Sequence, residues 1–373
     1  MTTSPLAPST TPGIVKMRSP GEIVSAAPIL LGFNPVDSLV IIALRQRRIG
    51  LTCRVDLDDL WEEEVPALIT GALTRDGATS VILIGYADDR PAVQAALARL
   101  RGPVREKGIT VQEELSVVDG RWFHETCGRS RCCPPEGTAV ADHDEAPTTM
   151  ALTAAKGGPL PSRDDLVALV SPDRPLLSAA IRAELSRMES ADLTVAQQCA
   201  DIAAVLGWGD GDGATPAQQA RAMLTTYPSS TRDYWYCLVA PGLLIDGEPP
   251  EDELLRSLRA AGSAAGDLSP EGYLLDDDAR ERILARLREW VRNLPDTEAL
   301  LTMAPLVVAA VAHWAAGDGA LARVLLDRAG RLETEPMPML HTLNQSLTHG
   351  LRPPHLGWLA PQITEHRRGQ AVA

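Results

Sequence analysis

The run Ser38-Leu39-Val40-Ile41-Ile42-Ala43-Leu44 decides the fold class. Six apolar residues follow a serine with no polar alternation, which suits a strand buried on both faces. A second run of this kind, Val81-Ile82-Leu83-Ile84 within Ser80 to Tyr86, lies further along. Between the two, Arg45 to Gly50 reads as a turn and Leu51 to Asp56 as a returning strand, so a hairpin is expected. Leu60 to Thr74 reads as a helix. Pro91 to Lys107 is a second helix, with Val93, Ala96, Leu97 and Leu100 in i, i+3, i+4, i+7 spacing. Ile109 to Val118 is the next strand, and Asp119-Gly120 is a hairpin-turn signal. The order hairpin, helix, strand, helix, strand predicts an α/β domain with a mixed sheet and flanking helices, its crossover right-handed.

Outward from this block, Ser19-Pro20-Gly21-Glu22 reads as a helix start, with Ser as N-cap, Pro in the first turn and an acid beside it. Residues 1–18 read as a disordered arm. The α/β domain is expected over 19–136, ending in a Cys-rich loop. Residues 137–161 carry no apolar period and read as a linker. Helical periods then run through 162–352, an all-α domain broken at Gly207 to Gly213 and Pro241 to Pro250, and 353–373 is a tail. Within the helical half, Trp314, Gly317-Asp318, Ala322, Ala329 and Pro336 form a tetratricopeptide-like hairpin: a large residue, a Gly turn, small contact residues and a closing Pro.

Composition bounds the function. The chain has 373 residues, 45% hydrophobic and 23% charged, so it is globular and long enough for two cores. Aromatics make up only 4%, which leaves Leu, Val, Ile and Ala to build the interior. The net charge of −14 argues against nonspecific nucleic-acid binding and against an anionic membrane surface. Arg45, Arg47 and Arg48 read as a polar turn. The apolar stretch Ala304 to Ala316 is too short to span a bilayer, and Met1 to Pro12 shows no secretory pattern, so the expected location is the cytoplasm. Neither GxGxxG nor GxxxxGK[ST] occurs.

Chemistry-bearing residue types concentrate in one place. Arg121-Trp122-Phe123-His124 is followed by Cys127 and by Cys132-Cys133-Pro134-Pro135-Glu136-Gly137. His124, Cys127, Cys132 and Cys133 are candidate zinc ligands, with His143 or Cys53 as a further one, since structural zinc takes four N or S donors. The same thiols, beside Arg121, Arg129 and Arg131, could instead be a redox pair. A third reading is a structural loop stiffened by its prolines. Arg121 and Trp122 are candidate ligand contacts, Arg because it grips carboxylate or phosphate bidentately. Asp37 and Ser38, before the first strand, and Asp56, at the end of the second, are candidate ligand-binding residues, and Asp58 extends them into a carboxylate cluster. Asp210-Gly211-Asp212-Gly213 lacks the glutamate of a calcium loop.

Three separated stretches together resemble a family known as domain of unknown function 4192. They are Ser19-Pro20 with Leu30-Leu31-Gly32-Phe33 and Pro35-Val36-Asp37-Ser38-Leu39-Val40; Asp119-Gly120-Arg121-Trp122 with Cys132-Cys133-Pro134-Pro135-Glu136-Gly137; and Trp314-Ala315-Ala316-Gly317-Asp318-Gly319-Ala320. The resemblance implies an actinobacterial cytoplasmic protein and brings no activity with it. The expected function is a non-enzymatic binding or regulatory protein whose Cys-rich loop is structural or zinc-binding and whose helical half meets a protein partner. The alternative is an enzyme or redox sensor with its site between the sheet end and that loop.

Overall fold

The computed structural model describes residues 16–46, 48–128, 133–188, 193–209, 213–240, 252–269 and 274–351. Two compact units divide at Arg163 and Asp164.

Unit 1 is a six-stranded mixed sheet in the order β2-β1-β3-β4-β5-β6. The strands are β1 Ser38–Arg45, β2 Arg48–Asp56, β3 Ser80–Tyr86, β4 Thr110–Val118, β5 Arg121–His124 and β6 Thr138–Ala139. Only β3 and β4 pair in parallel. Four helices accompany the sheet: α1 Pro20–Leu31, α2 Val65–Arg75, α3 Arg90–Glu106 and α4 Pro147–Lys156. The alternation along β1 and β3 sorts the faces. Leu39, Ile41, Ala43, Val81 and Leu83 pack on Leu73 of α2 and on Val93, Ala96, Leu97, Leu100 and Val104 of α3. The opposite face meets α1, where the Tyr86 hydroxyl donates to the Val24 carbonyl. Both faces of the apolar runs are thus covered, as continuous apolar strands require.

Local chemistry sets the boundaries. The β1–β2 connection is tighter than expected: Arg45 and Arg48 end the two strands, Gln46 takes a φ of 48°, and Arg47 lies outside the described residues. Asp119 and Gly120 both have positive φ, 49° and 69°, as the two central residues of a tight hairpin turn require. The helix expected from Leu60 starts only at Val65. Pro66 lacks an N–H and is accommodated only in a first turn, so Asp59–Trp61 forms a separate 3₁₀ turn. The stretch 137–161, read as linker, holds β6, a 3₁₀ turn over Val140–His143, and α4. The buried residues of α4 are Thr148 and Thr149, so no apolar stripe marks it. Thr148 donates to Glu22 of α1.

Unit 2 is helical: α5 Arg163–Ala168, α6 Pro175–Arg187, α7 Val195–Leu206, α8 Pro216–Thr226, α9 Ser229–Val239, α10 Glu253–Ala264, α11 Asp277–Asn293, α12 Ala299–Ala315, α13 Gly319–Arg331 and α14 Pro338–Thr348. Buried α12 forms the middle of this unit, and Trp235 and Trp290 stack nearby with ring centroids 5.1 Å apart. The α12–α13 hairpin turns at Gly317, φ 84°, and Asp318 caps α13 through the Leu321 N–H. Asp210 to Asp212, Pro241 to Pro250 and the tail 353–373 lie outside the described residues. Among the described residues, no helix is long and apolar enough to cross a membrane.

Candidate functional site

A cavity of about 600 Å³ opens in unit 1 where β1 begins and β2 and β3 end. Asp37 and Asp56 line it, as do Asp58 and Asp59 of the β2–α2 connection and Asp88 and Asp89 of the β3–α3 connection. Trp61, Leu57, Ala87, Ala92 and Ala95 line the rest of it. The sequence places acids here for local reasons. Asp37 takes a φ of 43°, which Asp tolerates better than most residues, and its carbonyl accepts from the Leu57 N–H. Asp89 is the N-cap of α3, its carboxylate accepting from the Ala92 N–H, and the positive end of the helix dipole favours acids at that end. Asp56 is paired with Arg54 at 2.5 Å.

Six carboxylates around one concavity raise a negative potential there, which a bound cation relieves. The Trp61 side chain stays 56% exposed although it is large and apolar. An exposed indole is a group on which a cation can lie. Of the residues expected to bind a ligand, Asp37, Asp56 and Asp58 come together here. Ser38 does not line the cavity; it is fully buried in β1.

Helix α3 divides its surface among three neighbours. Ala92 and Ala95 face the cavity, Val93, Ala96, Leu97, Leu100 and Val104 face the core, and Arg90, Gln94 and Arg101 face the β4–β5 side. Arg90 grips Glu125 with Nε to Oε1 at 2.8 Å and Nη2 to Oε2 at 3.3 Å. Gln94 and Ser116 donate to the same carboxylate, and the Arg90 guanidinium sits 4.1 Å over the Phe123 ring. Burial alone would raise the Glu125 pKa. The bonds from Arg90, Ser116 and Gln94 outweigh it and hold the group below its ordinary range. Arg101 forms the same bidentate pair with buried Glu114.

The Cys-rich loop begins beyond this network. Arg121 donates to the carbonyls of Glu136 and Gly137 at 2.6 and 2.7 Å, closing the base of the loop from β5. Its Nε and Nη2 therefore grip backbone, where a ligand anion was expected. Trp122 is buried, with its ring 6.1 Å from that of His143, which in turn lies against Gly21 at the start of α1. His124 meets Glu113 through Nε2 at 2.5 Å and accepts from the Thr126 N–H at Nδ1. Cys132, Arg129 and Arg131 lie outside the described residues. Among the described residues, no three His, Cys, Asp or Glu side chains are grouped so as to hold a metal ion. Cys53 belongs to β2, at the far edge of the sheet from β5, and burial, with Asp76 adding to it, pushes its thiol up to about 12.

Sheet order separates the two parts of the composite site. Asp37 immediately precedes β1 and Asp56 ends β2, whereas Arg121 and His124 belong to β5, three strand spacings from β1 or about 14 Å. The cavity lining includes neither Arg121 nor His124. Two of the three stretches quoted for the family resemblance, both in unit 1, do meet: Pro20-Gly21 leads to His143, His143 to Trp122, and Arg121 to Glu136 and Gly137.

The chain belongs to the DUF4192 family. The family model, described as a domain of unknown function, matches residues 20–354 and so spans both units. No curated protein and no solved structure matches the chain. Within this DUF4192 chain, sequence reasoning passed over Asp59, Trp61, Asp88 and Asp89. Their signal was present: Asp88-Asp89 follows an apolar strand and precedes Arg90-Pro91, a strand end leading into a helix N-cap. In α/β sheets that carboxyl end is where ligands bind.

Proposed function

We propose that this chain is a binding protein and that unit 1 takes a small organic cation carrying more than one ammonium group. The observation that carries this reading is the aspartate-lined cavity. Its volume of about 600 Å³ is in the range of small-molecule sites. The aspartates come from three separate connections, and no three of them are grouped for a metal ion. A spread of carboxylates matches an extended polyammonium chain better than a point charge. Trp61 offers the face on which a methylene–ammonium segment can lie.

In this reading the Cys-rich loop is structural, held by Arg121 at its base and by the His124–Glu113 pair at its root. The helical unit is the half read as meeting a protein partner, on the strength of its α12–α13 hairpin. Calorimetric titration with spermidine tests the central reading: saturable binding that weakens with salt supports it, and no heat up to millimolar spermidine removes it.

A further inference from the structure

Helix α3 touches the cavity with one face and the root of the Cys-rich loop with another. Ala92 and Ala95 line the cavity together with Asp88 and Asp89. Arg90 and Gln94, one turn apart on a different face, hold Glu125 between them. Glu125 follows β5 immediately. Its N–H donates to the Glu114 carbonyl, and the next residue, Thr126, donates to His124. The two faces belong to the same two turns of a helix whose core side is fully packed, so the segment is held as one body.

We propose that the first two turns of α3 couple the cavity to the Cys-rich loop, with Arg90 and Gln94 as the connecting grip on Glu125. This rests on the cavity being a cation site. A cation drawn to Asp88 and Asp89 acts on the N-cap of α3, because Asp89 is both rim and cap. Ordering of that first turn fixes Arg90, the first residue of the helix, and Arg90 fixes Glu125. The coupling is reciprocal: a loop held firmly at Glu125 presents a better-ordered rim. Arg90 and Gln94 are positioning residues and touch no ligand.

Amide hydrogen exchange over 124–137, read beside calorimetry on the full chain, tests the coupling with spermidine as probe. The expected result is binding accompanied by about threefold slower exchange at the loop root. Arg90→Met and the milder Gln94→Ala should still bind spermidine, with affinity lowered by no more than about the threefold coupling factor, while the exchange response shrinks or disappears. Spermidine binding with no change in loop exchange overturns the coupling and leaves the cavity reading intact. An exchange response that persists in both variants also overturns it. No binding at all removes the cavity reading, and the coupling with it.

Discussion

Arg90 and Glu125 form a two-point ion pair across the α3–β5 boundary, and the carboxylate is the more buried partner, its side chain 6% exposed against 34% for the arginine. Removing the arginine therefore leaves a buried charge uncompensated. Arg90→Met should destabilise unit 1 by about 3 kcal/mol in urea unfolding, as breaking one side of a buried pair does. Glu125→Gln should cost less, because it removes the buried charge itself and its one remaining oxygen still accepts from either Ser116 or Gln94. The pH dependence has a definite sign. The folded pKa of Glu125 lies below its ordinary 4.5, so its contribution is fully present above that value and is lost as pH falls through the lowered folded value. Acid unfolding of the wild type below about pH 4.5 should be steeper than that of Glu125→Gln.

Trp61 and Asp89 separate binding from stability. Trp61→Ala removes an exposed side chain and should leave the unfolding midpoint within experimental error. Spermidine affinity should fall about tenfold, the worth of a partly desolvated cation–π contact. Asp89→Asn keeps a good N-cap for α3 while removing one charge from the rim. It should weaken binding and flatten its salt dependence with a change of only a few tenths of a kcal/mol in stability. A large loss of stability in Asp89→Asn would place the carboxylate's role in the fold.

At the Cys-rich loop, Arg121→Lys keeps the charge but loses the two-armed donation to Glu136 and Gly137. Limited proteolysis should then cut within 127–137 faster than in the wild type. Gly137→Ala should act in the same direction. Its φ is 71°, and a Cβ there would stand 2.7 Å from the Phe123 ring and 3.0 Å from the Trp122 carbonyl. Spermidine affinity measured at saturation should survive both changes, since neither residue lines the cavity.

Arg328 ties the helical unit together. It is 3% exposed, pairs with Asp296 at 2.5 Å, and donates to the carbonyls of Val170, Val291 and Leu294. Arg328→Met takes the arginine donor from the carbonyls of Val170 and Leu294 and from the Asp296 carboxylate, and leaves Val291 only its bond from the Leu294 N–H. It should cost about 3–5 kcal/mol, read as a lowered unfolding transition of unit 2. A loss under about 1 kcal/mol, the level of an ordinary surface pair, would contradict this account.

Much of the architecture was legible because it rests on short-range chemistry. The apolar runs of β1 and β3, the spacing of Val93, Ala96, Leu97 and Leu100, and the Asp119-Gly120 turn each state their own structure. The expected helix start at Leu60 failed because the helix was read across Pro66, which sets the first turn. The α4 region was missed because its buried side chains are threonines, invisible to an apolar period. The site was half legible. Asp37, Asp56 and Asp58 stand next to strand ends and were named, but Asp88, Asp89 and Trp61 join them only once the order β2-β1-β3 brings three connections to one end. Arg121 was read as a ligand contact from its side-chain chemistry; its partners are backbone carbonyls fifteen and sixteen residues away, which no sequence pattern announces.

The most direct measurement is a calorimetric titration of the full chain with spermidine at two salt concentrations, run beside magnesium and beside acetate as an anion. The account predicts about one equivalent of spermidine bound at micromolar Kd, roughly −8 kcal/mol. Affinity should fall as salt rises, and magnesium should be weaker by at least about tenfold. Binding of acetate, tighter binding of magnesium than of spermidine, or no heat with spermidine would each contradict it.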